Sequence, residues 1–110
     1  MFIDKDENTI LITQENATII ELVKSIQERY EEFKNNNIIV NISRLEGVKL
    51  TDIVEFLQLS NKHRQAKHSF VIVSGSANLS EMPDEIMVVP STKEAFDIIE
   101  MESMERDLGF

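Results

Sequence analysis

Two apolar runs stand out along the chain: IIVNIS, starting at Ile38, and SFVIVS, starting at Ser69. Each is nearly continuous, the pattern of a parallel strand covered on both faces. Between them lie a short loop, RLEGVKL, and a stretch with Ile53, Phe56, Leu57 and Ser60 on one helical face. The pattern predicts a strand over Ile38–Ile42, a helix opened by Thr51, and a strand over Ser69–Val73. Thr51 is a preferred helix cap, and Asp52 suits the positive end of the helix dipole. The helix ends in KHRQAKH, a basic run that suits the negative end.

The flanking pattern extends this unit. TILIT at Thr9–Thr13 alternates β-branched and apolar residues, a strand pattern. Met1–Ile3 is expected to pair with it through a turn at Lys5–Asn8. Asn16 is expected to cap a helix to about Lys34, with Ile19, Ile20, Val23, Ile26, Tyr30 and Phe33 at helical spacing. Asn35–Asn37 should end it in a left-handed turn. After Ser69–Val73 come a polar connection with one helical turn at Leu79–Met82, an edge strand at Ile86–Val89, and Pro90 as its stop. Ser91 and Glu94 form a capping box. The helix they open carries Ala95, Ile98, Ile99 and Glu102 on one side and runs to Arg106 or Asp107, with Gly109 beyond as cap. The sum is a single α/β domain over 1–110, a small mixed sheet of four to five strands with helices packed mostly on one face.

Composition narrows the function classes. The 110 residues carry a formal charge of −9 and no cysteine. Disulfides, thiolate nucleophiles and cysteine metal sites are therefore absent. The segment from 81 to 110 alone holds nine acids against Lys93 and Arg106. Such a surface repels phosphate backbones and anionic membranes, so neither nucleic acid nor membrane is an expected partner. No basic or apolar leader opens the chain, and no apolar run approaches the roughly 20 residues that span a bilayer. A cytoplasmic protein is expected.

The residues that carry chemistry are sparse. His63 and His68 flank the end of a helix and share no helical face, so they are expected at the helix dipole rather than on a metal. Adjacent carboxylates such as Glu31 and Glu32 point apart on a helix. The isolated Gly47, Gly75 and Gly109 make no phosphate loop. A receiver domain would need a phosphoacceptor Asp after a central strand, and Asn41 lies inside one instead. No catalytic residue, metal or cofactor is expected. The remaining candidates are contact residues: Arg44, Glu46, Val48, Lys49, Leu50 and Asp52 around the loop after the first run, and Met101 and Met104 on the last helix.

The IIVNI strand, the loop with Lys49-Leu50-Thr51-Asp52-Ile53, the SFVIV strand after a basic helix end, and the Val88-Val89-Pro90-Ser91-Thr92 step resemble a STAS domain, the fold of anti-sigma-factor antagonists. That family places D-S-[ST]-G-[LIV] at the helix start and phosphorylates its second Ser/Thr. Thr51 holds that position. Lys49, Leu50 and Asp52 stand where the family has Asp, Ser and Gly. The resemblance implies a non-enzymatic regulatory or adaptor protein that binds a kinase or anti-sigma-type partner. Thr51 then has two readings, a helix cap and a phosphate acceptor. Two other functions remain open: a small-ligand sensor with a pocket around Gly47 and Gly75, and an accessory of an RNA-processing enzyme. The second arises because DEIMVVPSTKEAFDIIEMESMERDLGF also resembles short bacterial chains labelled ribonuclease Z. That nuclease needs a histidine-rich dinuclear metal motif, and this chain has two histidines.

Overall fold

The computed structural model describes residues 1–75 and 83–109. The helical turn read at Leu79–Met82 lies outside them. The sheet has five strands in the order β1 (Phe2–Asp6), β2 (Thr9–Thr13), β3 (Asn37–Asn41), β4 (Phe70–Val73) and β5 (Met87–Val89). β1 and β2 are antiparallel, and the other neighbours are parallel. The hairpin is longer than its sequence suggested, with Asp6 opposite Thr9 and only Glu7 and Asn8 between them. Glu7 takes φ 53, the left-handed geometry that primed two-residue turns need at their first position.

β3 and β4 form the middle of the sheet. Ile38, Val40, Phe70 and Ile72 face a core built with α1 (Ile19–Glu28), α2 (Tyr30–Phe33), α3 (Leu50–Val54) and α4 (Leu57–Gln65). Ile39, Val71 and Val73 face the other way, where α5 (Thr92–Asp107) covers them with Ala95 and Ile99. This two-sided burial is why both strands read as unbroken apolar runs.

Several element boundaries moved. Thr18, not Asn16, caps α1: its Oγ1 accepts from Glu21 N–H at 3.1 Å. Thr18 directly precedes the first apolar-periodic residue, Ile19, so its side chain can reach the first-turn amides. The single helix expected to Lys34 breaks at Arg29 (φ −105, ψ 14), beyond which Tyr30 and Phe33 are buried. The expected left-handed Asn turn is absent: Asn37 is instead the first residue of β3. Its Oδ1 accepts from Ser69 N–H at 2.9 Å and so fastens the start of β4. The second helix divides into α3 and α4 around Phe56, which is wholly buried. Ser91 caps α5 as expected, accepting from Glu94 N–H at 3.2 Å.

The N-terminal edge of the parallel strands is tied by arginines. Arg106 of α5 donates to Ser69 Oγ at 3.2 Å and Asn37 Oδ1 at 3.4 Å. Arg64 of α4 donates to Glu102 of α5 at 3.1 Å and to the Phe70 carbonyl at 3.0 Å. These bonds join the two helical layers across the sheet edge.

Candidate functional site

The loop after β3 is shaped by its own residues. The Asn41 Oδ1 accepts from Ser43 N–H at 3.0 Å and Ser43 Oγ–H at 2.7 Å, an Asx turn that lifts the chain off the strand. Gly47 takes φ 66, a left-handed geometry that would strain a residue with a Cβ. Val48 is buried, and Leu45 packs partly against the same core. These anchors leave Arg44, Glu46, Lys49, Leu50 and Thr51 exposed. Val48 was expected on the contact surface. It holds the loop from beneath instead, because its apolar side chain gains more from the core than from water.

The cap of α3 is also reassigned. Lys49 is the cap residue, and its backbone N–H donates to Asp52 Oδ2 at 3.0 Å. Thr51 sits inside the first turn, exposed, with its hydroxyl in no hydrogen bond among the described residues. The expectation that Thr51 starts and caps this helix therefore fails. Burial of Val48 brings the chain into helical geometry earlier than the Thr51 signal implied. Lys49, Leu50 and Val54, near Thr51 along the chain, are exposed, as is Arg44 in the loop. Arg44 reaches Glu15 at 3.6 Å, an exposed pair that holds the loop only weakly.

Gln14 and Ser74 are buried residues just past the ends of β2 and β4. Their Oε1 and Oγ find no hydrogen-bond partner among the described residues. Both look like ordinary strand-end polars in the sequence, where burial is not visible.

Met101 and Met104 do not join this surface. They lie on α5, across the sheet. Met104 shares a groove with Glu7, Asn8 and Asn37, at the opposite edge of the parallel strands from Arg44. The contact residues named from the sequence thus fall in two separate places.

His63 lies in the last turn of α4, the helix end where it was expected. It is fully buried, and its Nε2–H donates to the Asn36 carbonyl at 2.6 Å. A carbonyl only accepts, so Nε2 carries the proton and Nδ1 accepts from the Tyr30 hydroxyl at 2.7 Å. Burial pushes His63 down to about 4, with His68 and Arg64 adding to the shift against the Asn36 carbonyl. Burial and Arg106 also lower His68. The histidines are structural here, and among the described residues no group of three or more His, Cys, Asp or Glu is placed to hold a metal.

No protein-family model and no curated protein sequence matches the chain. Among solved structures it is similar to a serine-to-glutamate variant of RsbS from Moorella thermoacetica. The TM-score is 0.67 at 13% identity, covering 93% of this chain and 96% of that one. It is also similar to a chain from the molecular architecture of the stressosome, described as a signal integration and transduction hub. There the TM-score is 0.61 at 13% identity, with 92% and 97% covered. The chain has the STAS-like fold, with a mixed five-stranded sheet. Among the described residues no helix is long and apolar enough to cross a membrane.

Proposed function

We propose that this chain is a non-enzymatic regulatory domain that works by binding another protein through Arg44, Glu46, Lys49, Leu50 and the first turn of α3. The observation that carries this reading is the state of Thr51. Asp52 supplies the cap, so the Thr51 hydroxyl is exposed and free of structural duty. Arg44 and Lys49 of the same loop are exposed and carry the charge that a phosphate pairs with. Leu50 and Val54 add apolar area of the kind that binding surfaces use. The RsbS variant and the stressosome hub, both of this fold, favour a role in regulatory signalling. A kinase or an anti-sigma-type protein is the partner class this reading expects.

The switch is tested by mass spectrometry of the protein isolated from its native cells under growth and stress. Phosphate on Thr51 in one of these states supports the switch. Thr51 unmodified in every state removes the switch and leaves protein binding to be tested by itself.

A second reading, a small-ligand sensor at the strand ends, draws on the unpartnered buried Gln14 and Ser74. Thermal-shift screening with metabolites tests it: stabilisation that disappears in Gln14→Leu supports a ligand there. No stabilising compound would dismiss it.

A further inference from the structure

The sheet face toward α5 is only partly covered. α5 buries Ile39 of β3, Val71 and Val73 of β4, and Val89 of β5. Leu11 of β2 is half-buried, and Phe2 of β1 is 62% exposed. The register sets Phe2, Asp4 and Asp6 opposite Thr13, Leu11 and Thr9, so all six share this face. On α5, Met104 is 59% exposed and Met101 is 50% exposed. Between hairpin and helix runs a groove of about 510 Å³, with Thr9, Phe96, Ile99 and Met104 in its lining.

The charge around this groove is mostly negative. Glu7, Glu100 and Asp107 line it, and Asp4 and Asp6 stand beside it on β1. The nearby cations are few and already placed. Lys5 pairs with Ile10, whose side chain lies in the core on the opposite face. Arg106 is held by Ser69, Asn37 and Ser103. Five carboxylates therefore surround apolar surface against one cation among the described residues, Arg106, whose guanidinium is already bonded to Asn37 and Ser103 of the lining.

We propose that this groove docks a cationic amphipathic segment of a partner protein. The apolar side of such a segment covers Phe96 and Met104, above the buried Ile99, and its Lys or Arg residues face the carboxylates. Methionine walls adapt to differing side chains, which suits a docked segment. Complementary charge speeds encounter and fixes register. Nucleic acid and anionic membrane are repelled by the same carboxylates. A second copy carries −9 of its own and brings like charge to the groove. The groove shares no residue with the Arg44–Thr51 loop, so this inference and the proposed function stand or fall separately.

The test uses the full chain and a labelled synthetic peptide with leucines on one helical face and lysines on the other, followed by fluorescence anisotropy and methyl NMR. The expected result is saturable one-to-one binding that weakens with added salt and shifts the Met104 and Ile99 methyl signals. Glu100→Lys with Asp107→Lys, and separately Met104→Glu, each weaken it roughly tenfold. Glu28→Lys, an exposed change of the same sign on α1, leaves it unchanged. All these positions are exposed, and an unchanged melting temperature shows the variants folded. The proposal is overturned by absent or non-saturable binding, by affinity indifferent to the charge reversal, or by shifts confined to other methyls. A concentration-dependent dimer broken by Met104→Glu also overturns it, since a second copy then fills the groove.

Discussion

Tyr30 and His63 meet through a buried 2.7 Å hydrogen bond, joining α2 to α4 across 33 residues of sequence. The phenol donates to Nδ1, and Nε2–H donates onward to Asn36 just before β3. Tyr30→Phe keeps the ring and deletes the donor, which leaves a buried nitrogen unpaired. The expected cost is about 1–2 kcal/mol, read by urea denaturation at neutral pH. A stability equal to that of the native chain would show that the bond contributes nothing.

The same pair sets an acid limit. His63 titrates near 4 in the folded chain and near 6.5 when unfolded, so the unfolded state takes up its proton first as pH falls. The contribution is intact above pH 6.5 and is lost progressively down to about pH 4. The interval from 6.5 to about 4 corresponds to roughly 3 kcal/mol. His63→Gln cannot titrate and should show a shallower loss over that window than the native chain. Carboxylates contribute to both slopes, so the difference isolates His63. Parallel slopes would contradict the assignment.

Asp52, which bonds back to the cap residue Lys49, and Thr51 make opposite predictions. Asp52→Ala removes the acceptor of Lys49 N–H and should cost about 1 kcal/mol. Thr51→Ala removes no hydrogen bond among the described residues and should change stability by less than about 0.5 kcal/mol. Thermal denaturation of both variants decides. A large loss at Thr51 would restore it as a structural residue and weaken its reading as a switch.

Lys67 closes α4 at φ 70, where glycine is the usual residue. Lys67→Gly relieves the left-handed strain at an exposed site and should raise stability by roughly 0.5–1 kcal/mol. A loss on this change would mean that the Lys67 side chain makes a contact worth more than the strain.

The central sheet was legible because burial on both faces writes itself into β3 and β4 as unbroken apolar runs. α5 was legible because Ser91 and Glu94 are only three residues apart and their hydrogen bond is local. The Tyr30–His63 bond and the Asn37–Ser69 tie were not, because each joins residues more than thirty apart and each uses a residue type with several ordinary roles. The helix at Thr51 was misplaced for a related reason. Thr is a good cap by preference, but the buried Val48 fixes where the chain turns. The loop could be read as exposed, yet its division from Met101 and Met104 depends on which sheet face α5 covers. That follows from topology rather than from the local pattern.

The most direct test of the account is loop-dependent partner binding. The native chain, a Lys49→Glu/Leu50→Glu loop variant and an exposed-site control, Glu28→Lys, would be cross-linked in native-cell extract and compared by quantitative mass spectrometry. The captured partner would then be purified and titrated against all three. The account expects one signalling protein that binds the native chain and the control alike and loses at least about tenfold in affinity with the loop variant, all three having the same melting temperature. Equal affinity for the loop variant, or no saturable protein partner for the native chain, would contradict it.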